Sequence, residues 1–363
     1  MSRKEVSNRG VTMDIFHDMK KYWTGKSPEG HDKFSIPFRP DEDGMIGREC
    51  PNEDCQPRYF KIHIPESDEE KPEKTENDMN NDLSQSDIIC PYCGHRGNMQ
   101  EFHTREQIKW IKSMIERDFF KSIQDTFKQA LKPSRPRNGS FLSIEFKPGR
   151  LPSVRHYIEE KLRREVECSK CGQKYAVYGI AFHCPFCGGG NILIHFERSK
   201  QIIMSLLDSG DIIKEKGGEE ALHHHMGNCL EDVVSLFEGF HKSLYSKAII
   251  ERGPHEEAEK KIKRIKTNFQ RLSGAEEFFI KDLDIEIFAP LSSNEREFLE
   301  ELFLKRHVIT HNLGLVDQKY LEKANSMESM GRELDILRPD IQKGLEFVEK
   351  VIREDVKLLG LYD

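Results

Sequence analysis

Long apolar stretches are missing from this sequence. No run of about 18 apolar residues occurs among its 363 residues, so no transmembrane helix is expected. The first ten residues, MSRKEVSNRG, have no apolar core of the kind that a secretion signal requires. These two absences argue against membrane and secreted proteins, and they predict a soluble, cytoplasmic chain.

Excess charge is also missing from most of the chain. The net charge is -7, but residues 66–87 alone hold nine acidic residues and two lysines, so the remainder is neutral overall. A polar, acidic segment of this kind does not bury enough apolar surface to fold, and we interpret it as a disordered insertion. Any nucleic-acid binding must therefore depend on local basic patches.

Cysteine, in contrast, is present in a regular pattern. Eight of the nine cysteines form close pairs, and in a reducing compartment such thiols serve as metal ligands more often than as disulfides or unconnected core residues. Zinc takes four thiolates at tetrahedral corners, and a tight turn with two thiolates supplies half of such a site. The spacing predicts two structural Zn²⁺ ions, one held by Cys50, Cys55, Cys90 and Cys93, the other by Cys168, Cys171, Cys184 and Cys187.

The second site, at 166–195, carries the stronger signal. Gly172 and Gly188 each follow the second cysteine of a C-x-x-C turn, where the backbone must bend. The segment KYAVYGIAF between the two turns has the β-branched and aromatic composition of a hairpin. This spacing resembles a zinc ribbon. His183 is an alternative ligand, although packing beside the turn is the simpler interpretation.

The first site, at 46–104, has its two turns 34 residues apart. We expect a ribbon hairpin whose strands are YFKIHIP and SDII and whose tip carries the acidic insertion 66–87. His95 is the alternative ligand there. Closed four-cysteine sites leave no open position for water, so no zinc catalysis is expected. The unpaired Cys229 is assigned to a helix core.

The remaining segments are an N-terminal stretch, 1–45, and a helix-and-strand linker region, 105–165. The linker helix is expected to bury one apolar face, and a strand, SFLSIEF, should follow it. The same region concentrates basic residues, which either contact phosphate or line a solvated loop. The residues of the helix face are Ile108, Ile111, Ile115, Phe119, Ile123 and Phe127; the basic residues are Lys132, Arg135, Arg137, Lys147, Arg150 and Arg155.

Helical patterns dominate residues 196–363, whereas the two zinc ribbons are small β structures. The predicted fold class is therefore α+β and multidomain, with a C-terminal all-α helical bundle. A long helix should bury one face, a second helix should stop at Gly274, and Ser292-x-x-Glu295 is the signature of a capping box at the start of a third. The buried face of the long helix comprises Leu230, Val233, Val234, Phe237 and Phe240.

One short segment in this region suggests chemistry. Arg306 and His307 precede His311 and Asn312, with Gly314 just beyond. A guanidinium offers a fork of donors to a phosphodiester, and an imidazole exchanges a proton near neutral pH. In one straight helix Arg306 and His311 would differ by about 140° in direction. They converge only if the helix bends or ends between them, or if a second copy of the chain contributes one of them.

An arginine, a polar residue, three further residues and then His-Asn, at the end of a late helix in an all-helical region, resembles the HEPN domain (higher eukaryotes and prokaryotes nucleotide-binding). The resemblance covers residues 196–363. It implies a metal-independent endoribonuclease, commonly a homodimer, in phage defence or a toxin-like stress response, in which the ribose 2′-OH attacks the adjacent phosphate. His311 would then be the acid/base and Arg306 the stabiliser of the developing charge, with His307 and Asn312 as supporting groups. Glu231 and Asp232 either support this site or are solvated.

The sequence is also compatible with two other hypotheses about function. Some members of the family are inactive, so the chain is alternatively a non-catalytic adaptor that binds nucleic acid or protein through its ribbons and dimerises through its helices. A third possibility is that the bundle binds a nucleotide and the ribbons are purely structural. The expected partners are RNA, a second copy of the chain and a protein regulator.

Overall fold

The computed structural model describes residues 21–26, 30–34, 36–64, 87–130, 146–162, 164–324 and 329–361. Residues 66–86 of the acidic insertion and nearly all of the expected strand SFLSIEF lie outside these ranges, as do Lys132, Arg135 and Arg137. The chain divides into two compact units. One comprises residues 1–51, 59–86 and 98–162, and the other residues 52–58, 87–97 and 163–363.

Short strands pair in sequence order in the described part of the chain. Four two-strand pairings join β1 with β2, β3 with β4, β5 with β6, and β7 with β8. The strands are β1 (Trp23–Lys26), β2 (Asp32–Phe34), β3 (Met45–Glu49), β4 (Tyr59–His63), β5 (Asp87–Ile89), β6 (Arg96–Asn98), β7 (Arg164–Glu167) and β8 (Lys174–Val177). With the helices that follow, this confirms the α+β class.

The strand pairing corrects both hairpin predictions. The expected strands of the first ribbon do form, as β4 and β5, but β4 pairs with β3 and β5 pairs with β6. In the second ribbon KYAV forms β8, which pairs back with β7, ahead of the first C-x-x-C turn. Each of these three strand pairs encloses one cysteine turn. The strands therefore pair with neighbours close in sequence, and they do not form the hairpins between successive cysteine turns that the zinc-ribbon prediction required.

The linker helix forms as α1 (Arg105–Ala130), but its buried face is not the predicted one. Its fully buried residues are Gln107, Ser113 and Ser122, whereas Ile115 and Phe119 are each 38% exposed. Hydrogen bonds explain the difference, since the Gln107 amide donates to Gly47 O at 2.9 Å and Ser113 Oγ accepts from the Arg155 amide at 2.9 Å. Polar groups whose hydrogen bonds are satisfied can be buried at little cost.

Seven further helices make up most of the larger unit. Helix α3 lies at its centre and contacts α2, α4, α5, α6 and α8. The predicted face of α3 is confirmed as core, because Leu230, Val233, Val234 and Phe237 are all fully buried. The helices are α2 (Ile192–Asp208), α3 (Gly210–Arg252), α4 (His255–Ile265), α5 (Leu272–Leu283), α6 (Ser293–Asn312), α7 (Gln318–Ala324) and α8 (Arg338–Leu358).

Helix boundaries in this unit follow the sequence signals with one exception. Ser292 and Glu295 form the predicted capping box at the start of α6. Gly274 does not end a helix; it lies in the first turn of α5, where a Cβ would come within 2.2 Å of Asn268 O. Glycine there permits a close backbone approach. In the part of the chain that the structure describes, no helix is both long and apolar enough to cross a bilayer.

Candidate metal centres and candidate active site

Three of the cysteine turns share one backbone design. In each C-x-x-C turn the first cysteine donates its amide to the residue five positions later and accepts, through its carbonyl, the amide of the glycine four positions later. Those glycines, Gly94, Gly172 and Gly188, have φ of 80°, 69° and 75°, which side-chain-bearing residues adopt at a cost. The predicted role of Gly172 and Gly188 is confirmed.

These turns bring the eight predicted cysteines together as two clusters. The ligand atoms of each cluster lie within 4.8 Å of one another. Cys55 and Cys90 Sγ are 3.6 Å apart in the first cluster, and Cys168 and Cys187 Sγ are 3.7 Å apart in the second. Four sulfurs on a tetrahedron with bonds of about 2.3 Å to a central zinc would be about 3.8 Å apart, whereas a disulfide requires about 2.05 Å. The arrangement fits a metal ion and excludes disulfides.

Neither cluster contains a histidine. His183, the alternative ligand of the second site, instead has its Nε2 atom 3.2 Å from Lys247 Nζ. Lys247 is 8% exposed and also forms an ion pair with Glu251 at 2.8 Å. Cys229 is 1% exposed within α3, as expected for a core residue.

The segment with Arg306 and His311 lies at the end of α6. The helix continues through both residues and ends at Asn312, where Leu313 and Gly314 adopt left-handed conformations with φ of 53° and 79°. The predicted helix end is therefore present, but it follows His311 and does not separate it from Arg306. Within one chain the two side chains leave the helix in directions about 140° apart.

Arg306 points into the unit and is 7% exposed. Its Nε and Nη2 atoms donate to the two carboxylate oxygens of Glu231 on α3. Thr310, one turn after Arg306, donates its hydroxyl to the same carboxylate at 3.0 Å. Burial would raise the pKa of Glu231, but these hydrogen bonds and the charges of Arg306 and His311 hold it below its usual value.

His307 and His311 lie one turn apart on the exposed face of α6, with ring centroids 4.7 Å apart. Burial, followed by the charges of His311, Lys319 and Arg306, lowers the pKa of His307 from 6.5. His307 is therefore a neutral imidazole near pH 7, able to accept a proton.

Asn312 has a local structural contact. Its side-chain amide donates to Leu315 O, across the turn that follows α6. This contact helps to fix the path of the chain after His311. Of the four predicted site residues, then, His307 and His311 are accessible, Arg306 is held by Glu231, and Asn312 braces the turn.

No family model, no curated protein and no solved structure matches this chain.

The sequence did not decide whether Glu231 supports the site or is solvated, and Thr310 was not predicted as a site residue. Glu231 could not be assigned because it is 75 residues from Arg306 and only the packing of α3 against α6 joins them. Thr310 did have a signal, since residues four apart on a helix lie on the same face. Asp232, the neighbour of Glu231, is exposed, and among the described residues it forms no hydrogen bond with Arg306.

Proposed function

We propose that the helical unit is a metal-independent endoribonuclease of HEPN type, with Arg306 and His311 at its active site. The observation that supports this best is the cluster at the end of α6, where an arginine fixed by Glu231 lies on the same helix end as two accessible, mutually adjacent histidines. A fixed cation and a titratable imidazole are the two groups that cleavage of a phosphodiester by its own 2′-OH requires.

In the proposed reaction the ribose 2′-oxygen attacks the adjacent phosphorus and loses its proton to an imidazole. The bond from phosphorus to the 5′-oxygen breaks, and the leaving oxygen takes a proton from the imidazolium, which returns to its neutral form. The products are a 2′,3′-cyclic phosphate and a free 5′-OH, so atoms and protons balance without a metal or a redox partner. His311 is the proposed acid/base, and neutral His307 is suited to accept a proton.

Arg306 is the proposed stabiliser of the charge that develops on phosphate. A guanidinium has five N–H donors, and Glu231 uses two of them. Three donors, including both on Nη1, remain for phosphate oxygens. Glu231 would then act as a positioning residue that fixes the plane of the guanidinium.

The divergence of Arg306 and His311 within one helix has a consequence for assembly. Because one chain directs them about 140° apart, we propose that the active form is a homodimer in which Arg306 of one copy and His311 of the other face one scissile linkage. The cysteine clusters, being closed four-thiolate sites, would hold the fold and not take part in the reaction.

A second candidate function is supported by the burial of Arg306. A guanidinium that is 7% exposed and fully engaged with Glu231 on one edge is also what an inactive, structural ion pair looks like. On that view the chain is an adaptor that binds nucleic acid or a regulatory protein through its cysteine turns and dimerises through its helices.

Expression in a bacterial host separates the two candidates. An active ribonuclease should slow growth, and Arg306→Ala or His311→Ala should relieve the effect. His224→Ala is the matched control, since His224 is an exposed histidine on α3. Equal growth for wild type and all three variants, at equal protein levels, would favour the adaptor.

A further inference from the structure

A cleft of about 500 Å³ opens on the larger unit, between the hairpin β7–β8 and the helices α2 and α3. Its floor includes the buried side chains Leu236 and Phe240. Ser199, Ser235 and Ser243 also line it, and the Ser243 hydroxyl donates to Gly239 O at 2.9 Å. Pockets of this volume, with an apolar floor and a few polar groups, are typical small-molecule sites.

The two helices run antiparallel along the cleft. Phe196 on α2 lies 5.4 Å from Phe240 on α3 between ring centroids, and the Leu206 carbonyl contacts His225 Nε2 at 2.8 Å. The cleft therefore follows α3 lengthwise. Asp232 lines one end and lies seven residues before Gly239, a distance of about 10 Å along a helix.

Positive charge without a carboxylate partner lies beside the cleft. Arg164 lines it and donates to Gly179 O at 2.8 Å, while Arg198 donates to Glu165 O. Within the described ranges neither guanidinium forms an ion pair with an acid. The contact with Glu165 O puts Arg198 next to Arg164 in the fold, and burial, followed by the charge of Arg198, lowers the pKa of Arg164.

A buried histidine adds to this arrangement. His195 on α2 is 1% exposed, and neither of its ring nitrogens has a hydrogen-bond partner in the described part of the chain. Burial and the charges of Arg164 and Arg198 lower its pKa to about 3, so the ring is neutral at pH 7. Arg164 lines the cleft, and Arg198, which is bonded to the neighbouring residue Glu165, lies just outside the lining. Two adjacent guanidiniums without acidic partners favour an anionic ligand.

We infer that this cleft binds one nucleotide unit. The phosphate would contact Arg164 and Arg198, the base would lie against Leu236 and Phe240, and Asp232 would accept a hydrogen bond from a ribose hydroxyl. Guanidiniums suit phosphate, apolar surface suits the face of a base, and a carboxylate only accepts, as a hydroxyl donor requires. The nucleotide belongs either to a single-stranded RNA or to a free mononucleotide.

The position of Asp232 connects the cleft to the proposed active site. Asp232 follows Glu231, the partner of Arg306, in the sequence of α3. An RNA strand bound in the cleft would therefore leave it beside the end of α6. Binding does not depend on cleavage, so the inference stands even if the chain cuts nothing.

Gly239 allows the cleft to be filled without disturbing the fold. It lines the cleft within α3, and a Cβ added there would meet no atom within 4 Å. In Gly239→Leu the new side chain would occupy the cleft while favouring the helix. A second variant, Arg164→Gln with Arg198→Gln, removes both charges. Arg353→Gln is the control, because Arg353 pairs with Glu197 and Glu349.

Affinity is measured on the full, zinc-loaded chain in a His311→Ala background that prevents turnover. The probe is a short fluorescent single-stranded RNA, with AMP as the competitor and as a direct ligand in calorimetry. Both cleft variants should weaken binding at least about tenfold, which is the effect of losing one charge-assisted contact, and the control should stay within about twofold of the parent. Competition by AMP distinguishes a site that also takes free nucleotide from one that needs the strand.

Unchanged affinity in both cleft variants, or no binding of either RNA or AMP, would overturn the inference. Unfolding curves establish that each variant is folded. If the double arginine variant does not fold, the affinity of Gly239→Leu alone tests the inference. If wild-type protein does not cleave RNA but binds it, and the cleft variants weaken that binding, the nuclease proposal alone is contradicted. If the protein cleaves RNA and Gly239→Leu leaves the KM unchanged, the nucleotide-binding inference for the cleft alone is contradicted.

Discussion

Both carboxylate oxygens of Glu231 accept hydrogen bonds from the guanidinium of Arg306, across the packed helices α3 and α6. Thr310 donates to the same carboxylate at 3.0 Å. The contact joins two helices of the core and fixes the one cation of the proposed active site. The contribution of this ion pair to the stability of the fold and its role in the proposed reaction can therefore be tested separately.

Removing Glu231 should destabilise the larger unit. In Glu231→Ala the Arg306 side chain, 9% exposed, would keep its charge without a partner, and we expect a loss of about 1–3 kcal/mol in the free energy of unfolding. Urea titration measures this loss. Glu259→Ala, at an exposed ion pair of α4, is the control and should leave the free energy of unfolding unchanged within experimental error.

The sign of the pH dependence follows from the lowered pKa of Glu231. A carboxyl whose pKa is lower in the folded state stabilises the fold above its unfolded value, 4.5, and that contribution is lost as the pH falls through the folded pKa. The difference in stability between wild type and Glu231→Ala should be constant above pH 5 and should shrink below about pH 4.5. A difference that grows on acidification would contradict the assignment.

A second buried pair predicts strong coupling in the core. His241 Nε2 lies 3.0 Å from Asp355 Oδ2, and neither side chain is exposed. Asp355→Ala should cost about 3–5 kcal/mol, because the buried Nε2 atom of His241 loses its partner while Nδ1 keeps its contact with Phe237 O. In a double-mutant cycle with His241→Phe, the combined variant should lose clearly less than the sum of the single losses. Strict additivity would show that the two groups do not interact.

Metal content tests the cysteine clusters directly. The wild-type chain should bind about two zinc ions, and Cys171→Ala should bind about one, since it removes one ligand from the second cluster only. Cys229→Ala is the matched control and should keep about two, as Cys229 belongs to neither cluster. Zinc near zero in the wild type would remove the basis for both sites.

The histidine pair on α6 predicts a titration shift. Burial and then the charge of His311 lower the pKa of His307. His311→Ala removes that charge and should move the pKa of His307 upward, toward 6.5, in an NMR titration of the imidazole signals. His224→Ala should leave it unchanged. A pKa that is indifferent to His311 would mean that the two rings do not face each other as the 4.7 Å separation indicates.

Local signals in the sequence predicted the local structure well. The C-x-x-C spacing and the glycines that follow it predicted the cysteine clusters, and helical periodicity predicted the core face of α3, because both depend on residues a few positions apart. The sequence-based prediction failed for the strand pairing of the ribbons and for the buried face of α1. There the outcome depends on which distant polar groups, such as Gly47 O for Gln107, are available.

The candidate site shows the same division. The end of α6 was predictable from Asn312 and Gly314, whereas the burial of Arg306 was not, because it depends on Glu231 from another helix. The cleft beside Arg164 and Arg198 had no sequence signal. Its lining comes from β7, the turn after β8, α2 and α3, and residues so far apart in the sequence form no motif along the chain.

The most direct test of the central claim is cleavage of labelled RNA by the purified, zinc-loaded protein in buffer without other divalent metals, followed by mapping of the new ends. We predict fragments with 2′,3′-cyclic phosphate and 5′-OH ends for the wild type and for His224→Ala. For Arg306→Ala and His311→Ala we predict a loss of at least about a hundredfold in rate. Cleavage that requires added Mg²⁺, or that is undiminished in His311→Ala, would contradict the proposed reaction.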